Sequence, residues 1–305
     1  MKTFNEKSIK EITNKYLSGN TLTRTEQIFH NNMLHIRTAN IAYNYSTDEL
    51  FELYHCSADI YYFIENFLNM KLHQYQKEIV NHYIKYKHII FMNSMQIGFS
   101  QLISAIFLWE SIFKKNIVIV IASNKTIVNI ELLDKIKKHY IKLPFYMKVG
   151  VTKWTQKEII FDNFNRIIID TYSSQPAVGY QISRLFLNEM AFISDKYAVN
   201  YYATMVPTIS AVKNSKLIIS SQPNGENFFQ TLVDGSLLPN NHPDSNTFEL
   251  KRTYWWDVPG RDKKWKEEVI KQIGKENFET NYDLKFVTIR SKKIRRIIED
   301  LEDLL

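Results

Sequence analysis

The residues most able to do chemistry lie between positions 93 and 100, where a short apolar run, residues 88–92, gives way to a segment of helical character. A tight loop with glycine between a strand and a helix presents backbone N–H groups and a helix N-terminus, a combination that binds phosphate. Gly98 and Ser100 match the second glycine and the metal-binding hydroxyl of the usual phosphate-loop pattern, whereas Asn93 and Phe99 replace its first glycine and its lysine. An ordinary strand–turn–helix would fit the same residues. The predicted nucleotide-binding loop consists of Asn93, Ser94, Met95, Gln96, Ile97, Gly98, Phe99 and Ser100.

Two further polar turns each follow a buried apolar run. Asn188 and Glu189 come after residues 185–187, and Ser221 and Gln222 belong to the turn that ends the next run. Ligands of α/β sheets bind beyond the carboxyl ends of the strands, so the loop and both turns are predicted to meet at one edge of a sheet. Phosphoryl transfer to water needs groups that hold Mg²⁺ and a base that orients the water. The pattern places Ser100 at the metal and Glu189 at the water, with Asn188 where a metal-holding aspartate is expected.

The elements that must position these residues alternate between strand and helix patterns. This alternation predicts an α/β fold with a mainly parallel sheet flanked by helices. Residues 1–70 are predicted to form a helical N-terminal segment, 71–250 the core, and 251–305 C-terminal lid or linker helices. The last helix, 291–305, carries basic residues first and acidic residues last, which opposes the helix dipole and calls for a partner surface.

Gln76 lies on a predicted helix that opens at Leu72, directly before the first strand. Its side-chain amide offers both a donor and an acceptor, which is what reading an adenine edge requires. A glutamine on the solvent side of a helix is the alternative interpretation.

The composition sets limits on the class of protein. A chain of 305 residues with 45% hydrophobic and 23% charged residues is typical of a globular protein. No apolar run reaches the ~18 residues of a membrane span, and the polar start predicts no signal peptide. The single cysteine, Cys56, excludes an intrachain disulfide and suits a reducing compartment. A net charge of +7 allows a polyanionic partner, but the excess is mostly lysine, which also reflects a lysine-rich composition.

The order of the motifs resembles the large terminase subunit of tailed bacteriophages, the DNA-packaging motor, over residues 56–286. The resemblance implies a P-loop NTPase that binds ATP and Mg²⁺ and translocates double-stranded DNA into a capsid in the host cell cytoplasm. It also implies self-association into a ring, docking on the portal protein, a small terminase subunit as partner, and no membrane. Ser221 and Gln222 would couple the nucleotide state to movement. The residues that carry the resemblance are segments 56–66, 75–76, 94–100, 187–193, 221–225 and 258–261.

The sequence departs from this family at charged positions. Asn93 stands where many family loops have the phosphate lysine, and Met95 stands where they have a proposed arginine finger. Asn188 replaces the aspartate of the acidic pair, and Val178 replaces an arginine before a glycine turn. Loss of an arginine finger alone costs on the order of 10³–10⁵ in rate. Lys125, after a neighbouring buried strand, is the best candidate for a compensating cation, although a solvated surface lysine fits equally.

Three interpretations therefore stay open. The first is an ATPase domain with an eroded nucleotide site, a degenerate Walker A loop. The second is a non-hydrolysing, terminase-like binding or assembly protein that keeps the fold. In the third, the ATPase and the family's nuclease occur on separate chains of one motor, because the chain ends about twenty residues after Phe286 and two-metal nuclease chemistry is expected to be absent.

Overall fold

The computed structural model describes residues 45–172 and 179–287, together with Glu11, Lys15 and Thr23. Its helices are α1 (Thr47–Ala58), α2 (Ile60–Tyr62), α3 (Gln74–Lys85), α4 (Phe99–Phe113), α5 (Thr126–Lys142), α6 (Asp195–Ser210), α7 (Phe228–Leu237), α8 (Lys263–Ile273) and α9 (Lys275–Asn281). Its strands are β1 (His88–Asn93), β2 (Val118–Ser123), β3 (Val151–Trp154), β4 (Glu158–Phe161), β5 (Arg166–Thr171), β6 (Arg184–Asn188), β7 (Lys216–Ser221) and β8 (Glu249–Thr253).

The strands form one 8-stranded sheet in the order β3-β4-β5-β2-β6-β7-β1-β8. Strands β6, β7, β1 and β8 run parallel to one another, whereas β3, β4 and β5 form an antiparallel meander. Strands β1 and β7 are buried along almost their whole length, as parallel strands covered on both faces should be. The predicted α/β fold with a mainly parallel sheet is confirmed.

The described residues divide into two compact units. One unit contains residues 73–99 and 120–126 and the described part of 170–305, and it includes the predicted loop up to Phe99. Its core packs β-branched, leucine and methionine side chains of the strands against α6 and α7, with Ile90, Met92, Leu187, Ile219 and Phe229 among its buried members. A second aromatic cluster, Trp255, Phe278 and Tyr282, joins the segment after β8 to α9.

The other unit contains residues 100–119 and 127–169 and the described part of 1–72. The indole N–H of Trp109 donates to the carbonyl of Cys56 at 2.7 Å, which ties α4 to the end of α1. Asn165 is fully buried, and its side chain bonds the chain between α4 and β2: it accepts from the amide of Ile117 at 2.7 Å and donates to the carbonyl of Lys114 at 2.8 Å.

Helix α8 is defined at both ends by its sequence. Asp262 caps α8 by accepting from the amide of Trp265 at 2.8 Å, and Gly274 ends the helix with φ +81°. Strand β1 extends one residue further than predicted, to Asn93. The predicted boundary after residue 250 falls within β8. The predictions for most of residues 1–44, for Val178 and for helix 291–305 lie outside the described residues, and no helix within the described residues is both long and apolar enough to cross a membrane.

Candidate functional site

The ends of four adjacent parallel strands define the site. The register pairs Asn188 with Ser220, Met92 with Ser221, and Asn93 with Thr253. The turns that follow β6, β7 and β1 therefore leave the same edge of the sheet. The predicted meeting of these three turns at one edge is confirmed.

The loop between β1 and α4 is held through one of its carbonyls and two of its amides. The hydroxyl of Tyr75 donates to the carbonyl of Ile97 at 3.0 Å, and the amides of Ser94 and Met95 donate to the carbonyls of Thr253 and Asn281 at 2.8 and 3.0 Å. Within residues 45–172 and 179–287, the amides of Gln96, Ile97 and Gly98 donate to no other backbone group. These three N–H groups, followed by the N-terminus of α4, are the donors that a phosphate chain needs.

Arg261 supplies the strongest of these loop contacts. Its two terminal nitrogens donate to the carbonyls of Met95 and Gln96 at 3.0 and 2.9 Å, and its guanidinium lies 4.7 Å from the ring centroid of Trp265. Burial lowers the pKa of Arg261 from its ordinary value, and the Tyr282 and Tyr75 side chains act in the opposite direction. Residues 258–261 carry part of the family resemblance, but no sequence pattern gave Arg261 a role.

Gly98 is required by its conformation and by its neighbour. Its φ is +75°, in the left-handed region, and a Cβ added there would lie 3.2 Å from Nε2 of Gln76. The side chain of Gln76 also completes the cap of α3, because its Oε1 accepts from the amide of His73 at 3.0 Å. The amide of Gln76 therefore lies against the loop, and its carbonyl oxygen already has a structural partner.

Glu189 follows β6 in a strained backbone conformation. Its φ and ψ are 56° and 37°, and its amide donates to the carbonyl of Ser220 at 2.8 Å. A residue other than glycine in the left-handed region costs about 1 kcal/mol, and such strain is concentrated at functional sites. The hydroxyl of Tyr172 donates to the carbonyl of Asn188 at 3.3 Å, and the pKa of Tyr172 is raised by burial and then by the negative charge of Glu189. A buried tyrosine thus lies close to the predicted base.

Of the two predicted coupling residues, Ser221 contacts the turn that carries Glu189. Ser221 Oγ accepts from the amide of Ala191 at 3.0 Å and donates to the carbonyl of Gln222 at 3.2 Å. Asn224 donates from Nδ2 to the carbonyl of Ala191 at 3.0 Å. The segment after β7 is therefore hydrogen-bonded to the turn that carries Glu189.

The donor set for Mg²⁺ consists of neutral oxygens. Ser100 is the second residue of α4, and Asn188 ends β6. No group of three or more His, Cys, Asp or Glu residues that could hold a metal occurs among the described residues. Mg²⁺ in nucleotide sites is generally held by few protein ligands plus phosphate oxygens.

The predicted compensating cation does not reach the loop through any contact. Lys125 is exposed just beyond β2, and its carbonyl accepts from Ser123 Oγ at 2.8 Å. Lys87 precedes β1 and so lies at the opposite edge of the sheet from the loop.

Comparison with solved structures shows the same fold. The Thermus phage P74-26 large terminase ATPase domain aligns with a TM-score of 0.56 and 19% identity, covering 73% of this chain and 97% of that one. The HK97 bacteriophage large terminase aligns with a TM-score of 0.60 and 15% identity, covering 75% and 54%. A large terminase from a thermophilic bacteriophage, solved in complex with ADP, gives a TM-score of 0.55 and 16% identity, covering 71% and 54%. The chain thus spans about half the length of the last two proteins.

The sequence itself also matches a family description. Residues 90–297, more than half of the chain, match the family "Terminase large subunit, T4likevirus-type, N-terminal". This range contains the loop after β1, both polar turns and the Arg261 segment. The chain therefore belongs to the terminase large subunit family, in the part that corresponds to the ATPase domain.

Proposed function

We propose that this chain is the ATPase-type domain of a phage terminase large subunit, which binds ATP at residues 93–100 for the packaging of double-stranded DNA into the capsid. The observation that carries the proposal is the loop itself. Its carbonyls are held from behind by Arg261 and Tyr75, which leaves the amides of Gln96, Ile97 and Gly98 for a ligand. Family membership supports the packaging role.

In this proposal each predicted site residue has one task. The loop amides and the N-terminus of α4 bind the phosphates, and Gln76 contacts the adenine through its Nε2. Glu189 orients the attacking water, and Ser221 with Gln222 transmits its displacement. Ser100 and Asn188 would hold Mg²⁺, which when bound neutralises phosphate charge. A large terminase from a thermophilic bacteriophage has been solved with ADP and with ATP-gamma-S, which supports nucleotide binding in this family.

The partners follow from the same family role. We infer contacts with double-stranded DNA, the portal protein and the small terminase subunit, self-association into a ring, and action in the host cell cytoplasm. The chain matches only about half of the full-length large terminases.

A non-hydrolysing binding or assembly protein is the second candidate. It is favoured by the neutral side chains of Met95 and Asn188, and by the use of both terminal nitrogens of Arg261 on loop carbonyls. The two candidates differ in turnover and agree in nucleotide binding.

The experiment measures ATP binding and ATP hydrolysis for the wild type, Glu189→Gln and Glu268→Gln, with double-stranded DNA and portal protein present. Glu268 is an exposed glutamate on α8 and serves as the matched control. Hydrolysis that is lost only in Glu189→Gln supports the ATPase. Binding of ATP-gamma-S with background hydrolysis in all three proteins supports the binding protein. Absence of nucleotide binding in all three overturns the proposed function.

A further inference from the structure

Two neighbouring buried polar side chains, at the start of the loop and on the adjacent strand β8, have no hydrogen-bond partner among the described residues. Asn93 is 6% exposed and Thr253 is 1% exposed. Both polar atoms of the Asn93 amide and the hydroxyl of Thr253 form no hydrogen bond within the described residues. A buried polar group left unpaired costs about 1–3 kcal/mol, so these atoms indicate a bound polar species at this position.

The register places the two side chains on the same face of the sheet. Asn93 and Thr253 are partners in the parallel pairing of β1 with β8, and partners in a ladder point the same way. Side chains two residues apart also share a face, and Phe91, two residues before Asn93, packs against Phe99 of α4 with ring centroids 5.2 Å apart. Lys251, two residues before Thr253, bonds Glu78 of α3 at 2.6 Å. The face that carries Asn93 and Thr253 is therefore the one that the loop and α3 cover.

The chemistry of these oxygen atoms indicates which kind of ion they would bind. Asn93 Oδ1 and Thr253 Oγ1 are neutral oxygens, which suit a monovalent cation, whereas a divalent ion prefers carboxylates. A bound triphosphate carries several negative charges, which a cation at this position would partly neutralise. Phe99 and Met95 carry no charge, and Arg261 already uses both terminal nitrogens on loop carbonyls.

We propose that Asn93 and Thr253 form a site for a monovalent cation, K⁺ or Na⁺, which binds together with the nucleotide and takes the place of a phosphate-binding lysine. Water and the phosphate oxygens complete its coordination. This inference rests on the proposed nucleotide binding, and it assigns Asn93 a new role as a cation ligand. It makes nucleotide affinity depend on which monovalent salt is present.

The test measures the affinity for a fluorescent ATP analogue in KCl, NaCl and choline chloride at equal ionic strength, so that screening is the same in all three. We expect about tenfold tighter binding in KCl or NaCl than in choline chloride, a difference of about 1.4 kcal/mol. Thr253→Val keeps the shape and removes the hydroxyl, so it should abolish most of this ratio, while Thr253→Ser should retain it. Thr231→Val, on the exposed side of α7, is the control for the same substitution elsewhere.

Asn93→Lys tests the charge directly, because it places a covalent ammonium where the ion would bind. We expect this variant to bind nucleotide equally in all three salts, with an affinity close to that of the wild type in KCl. Equal affinity of the folded wild type in all three salts would show that water alone occupies the site, and the inference would be wrong. Failure of every variant to bind nucleotide in any salt would instead overturn the proposed function.

Discussion

Replacing Arg261 by glutamine separates the loop from the segment that follows β8. The guanidinium joins the carbonyls of Met95 and Gln96, at 3.0 and 2.9 Å, to a stack on Trp265 at 4.7 Å. Glutamine can donate from one nitrogen and can make neither the two-pronged contact nor the cation–π contact. The loop would then keep its contacts to Tyr75 and to the carbonyls of Thr253 and Asn281.

The expected magnitude comes from the two hydrogen bonds. Bonds from a charged donor contribute about 1.5–3 kcal/mol each, and the half-buried position of Arg261 places these at or below the lower end. Part of this loss destabilises the free and the nucleotide-bound protein equally and does not change the affinity. About 2 kcal/mol remains as a loss of nucleotide-binding free energy. This corresponds to about 30-fold weaker binding.

The assay is the affinity for a fluorescent ATP analogue, measured with thermal unfolding on the same samples. Arg261→Lys keeps the charge but loses the planar fork, so its affinity should lie between those of the wild type and Arg261→Gln. Lys263→Gln removes one exposed positive charge two residues further along the chain and should change the affinity less than twofold. If folded Arg261→Gln binds within twofold of the wild type, the contact does not organise the loop. If Arg261→Lys matches the wild type, charge alone suffices and the fork geometry is irrelevant.

Three further predictions concern single residues. Gly98→Ala should destabilise the protein by about 1–2 kcal/mol and also displace Gln76. Gly260→Ala is the control, because its φ is +84° and no atom lies within 4 Å of the added Cβ, so it should show only the conformational cost. Nucleotide affinity should fall in Gly98→Ala and not in Gly260→Ala. His139→Gln should remove an acid sensitivity: burial, and then the charge of Lys142, lowers the pKa of His139 to about 4. The native state thus favours the neutral ring, and the stability present above pH ~6.5 falls by up to about 3 kcal/mol as the pH drops to about 4, measured by denaturant unfolding against pH. Asn165→Ala removes the hydrogen bonds of this side chain to the amide of Ile117 and to the carbonyls of Ser111 and Lys114. It should cost about 3 kcal/mol in urea unfolding, and an unchanged result would count against these hydrogen bonds.

The strands of the site could be predicted because burial on both faces leaves a strong signal in the sequence. The apolar runs of β1, β2, β6 and β7 need no partner information, since continuous β-branched or leucine-rich segments have few alternatives in an α/β domain. Strand β8 carries Lys251 and Arg252 instead, and its members are only half-buried. Its charged residues do not predict a strand. Its position beside β1 is determined by hydrogen bonding to β1 and not by its own sequence pattern.

Helix α6 was missed for a related reason. It contains Pro207 and several β-branched and aromatic residues, which weaken its helical propensity. Its buried residues include Ala198, Tyr201 and Met205, which pack in the same core as β6 and β7. Tertiary packing therefore determines this helix more than local propensity does.

Some residues of the site could be predicted in the same way, and others could not. The rule that ligands bind at strand carboxyl ends predicted that Asn93, Asn188 and Ser221 would lie on one edge, and it needed only strand identity and direction. Arg261 is 166 and 165 residues away in sequence from Met95 and Gln96, whose carbonyls it contacts, so no local pattern indicates the contact. The tyrosine beneath Glu189 is likewise visible only once the sheet is formed.

The proposed site would separate nucleotide binding from nucleotide hydrolysis. The amides of Gln96, Ile97 and Gly98, fixed through the carbonyls behind them, would contact phosphate equally before and during phosphoryl transfer. Interactions that are the same in both states increase affinity without increasing turnover. Acceleration needs charge that is better placed in the transition state, and Arg261 is held on carbonyls rather than free to follow the γ-phosphate. Relative to a loop with intact charged residues, this loop should therefore retain more of its affinity for ATP than of its hydrolysis rate. The change to Lys at Asn93, Arg at Met95 and Asp at Asn188 together should accordingly raise the hydrolysis rate by a larger factor than it raises the affinity.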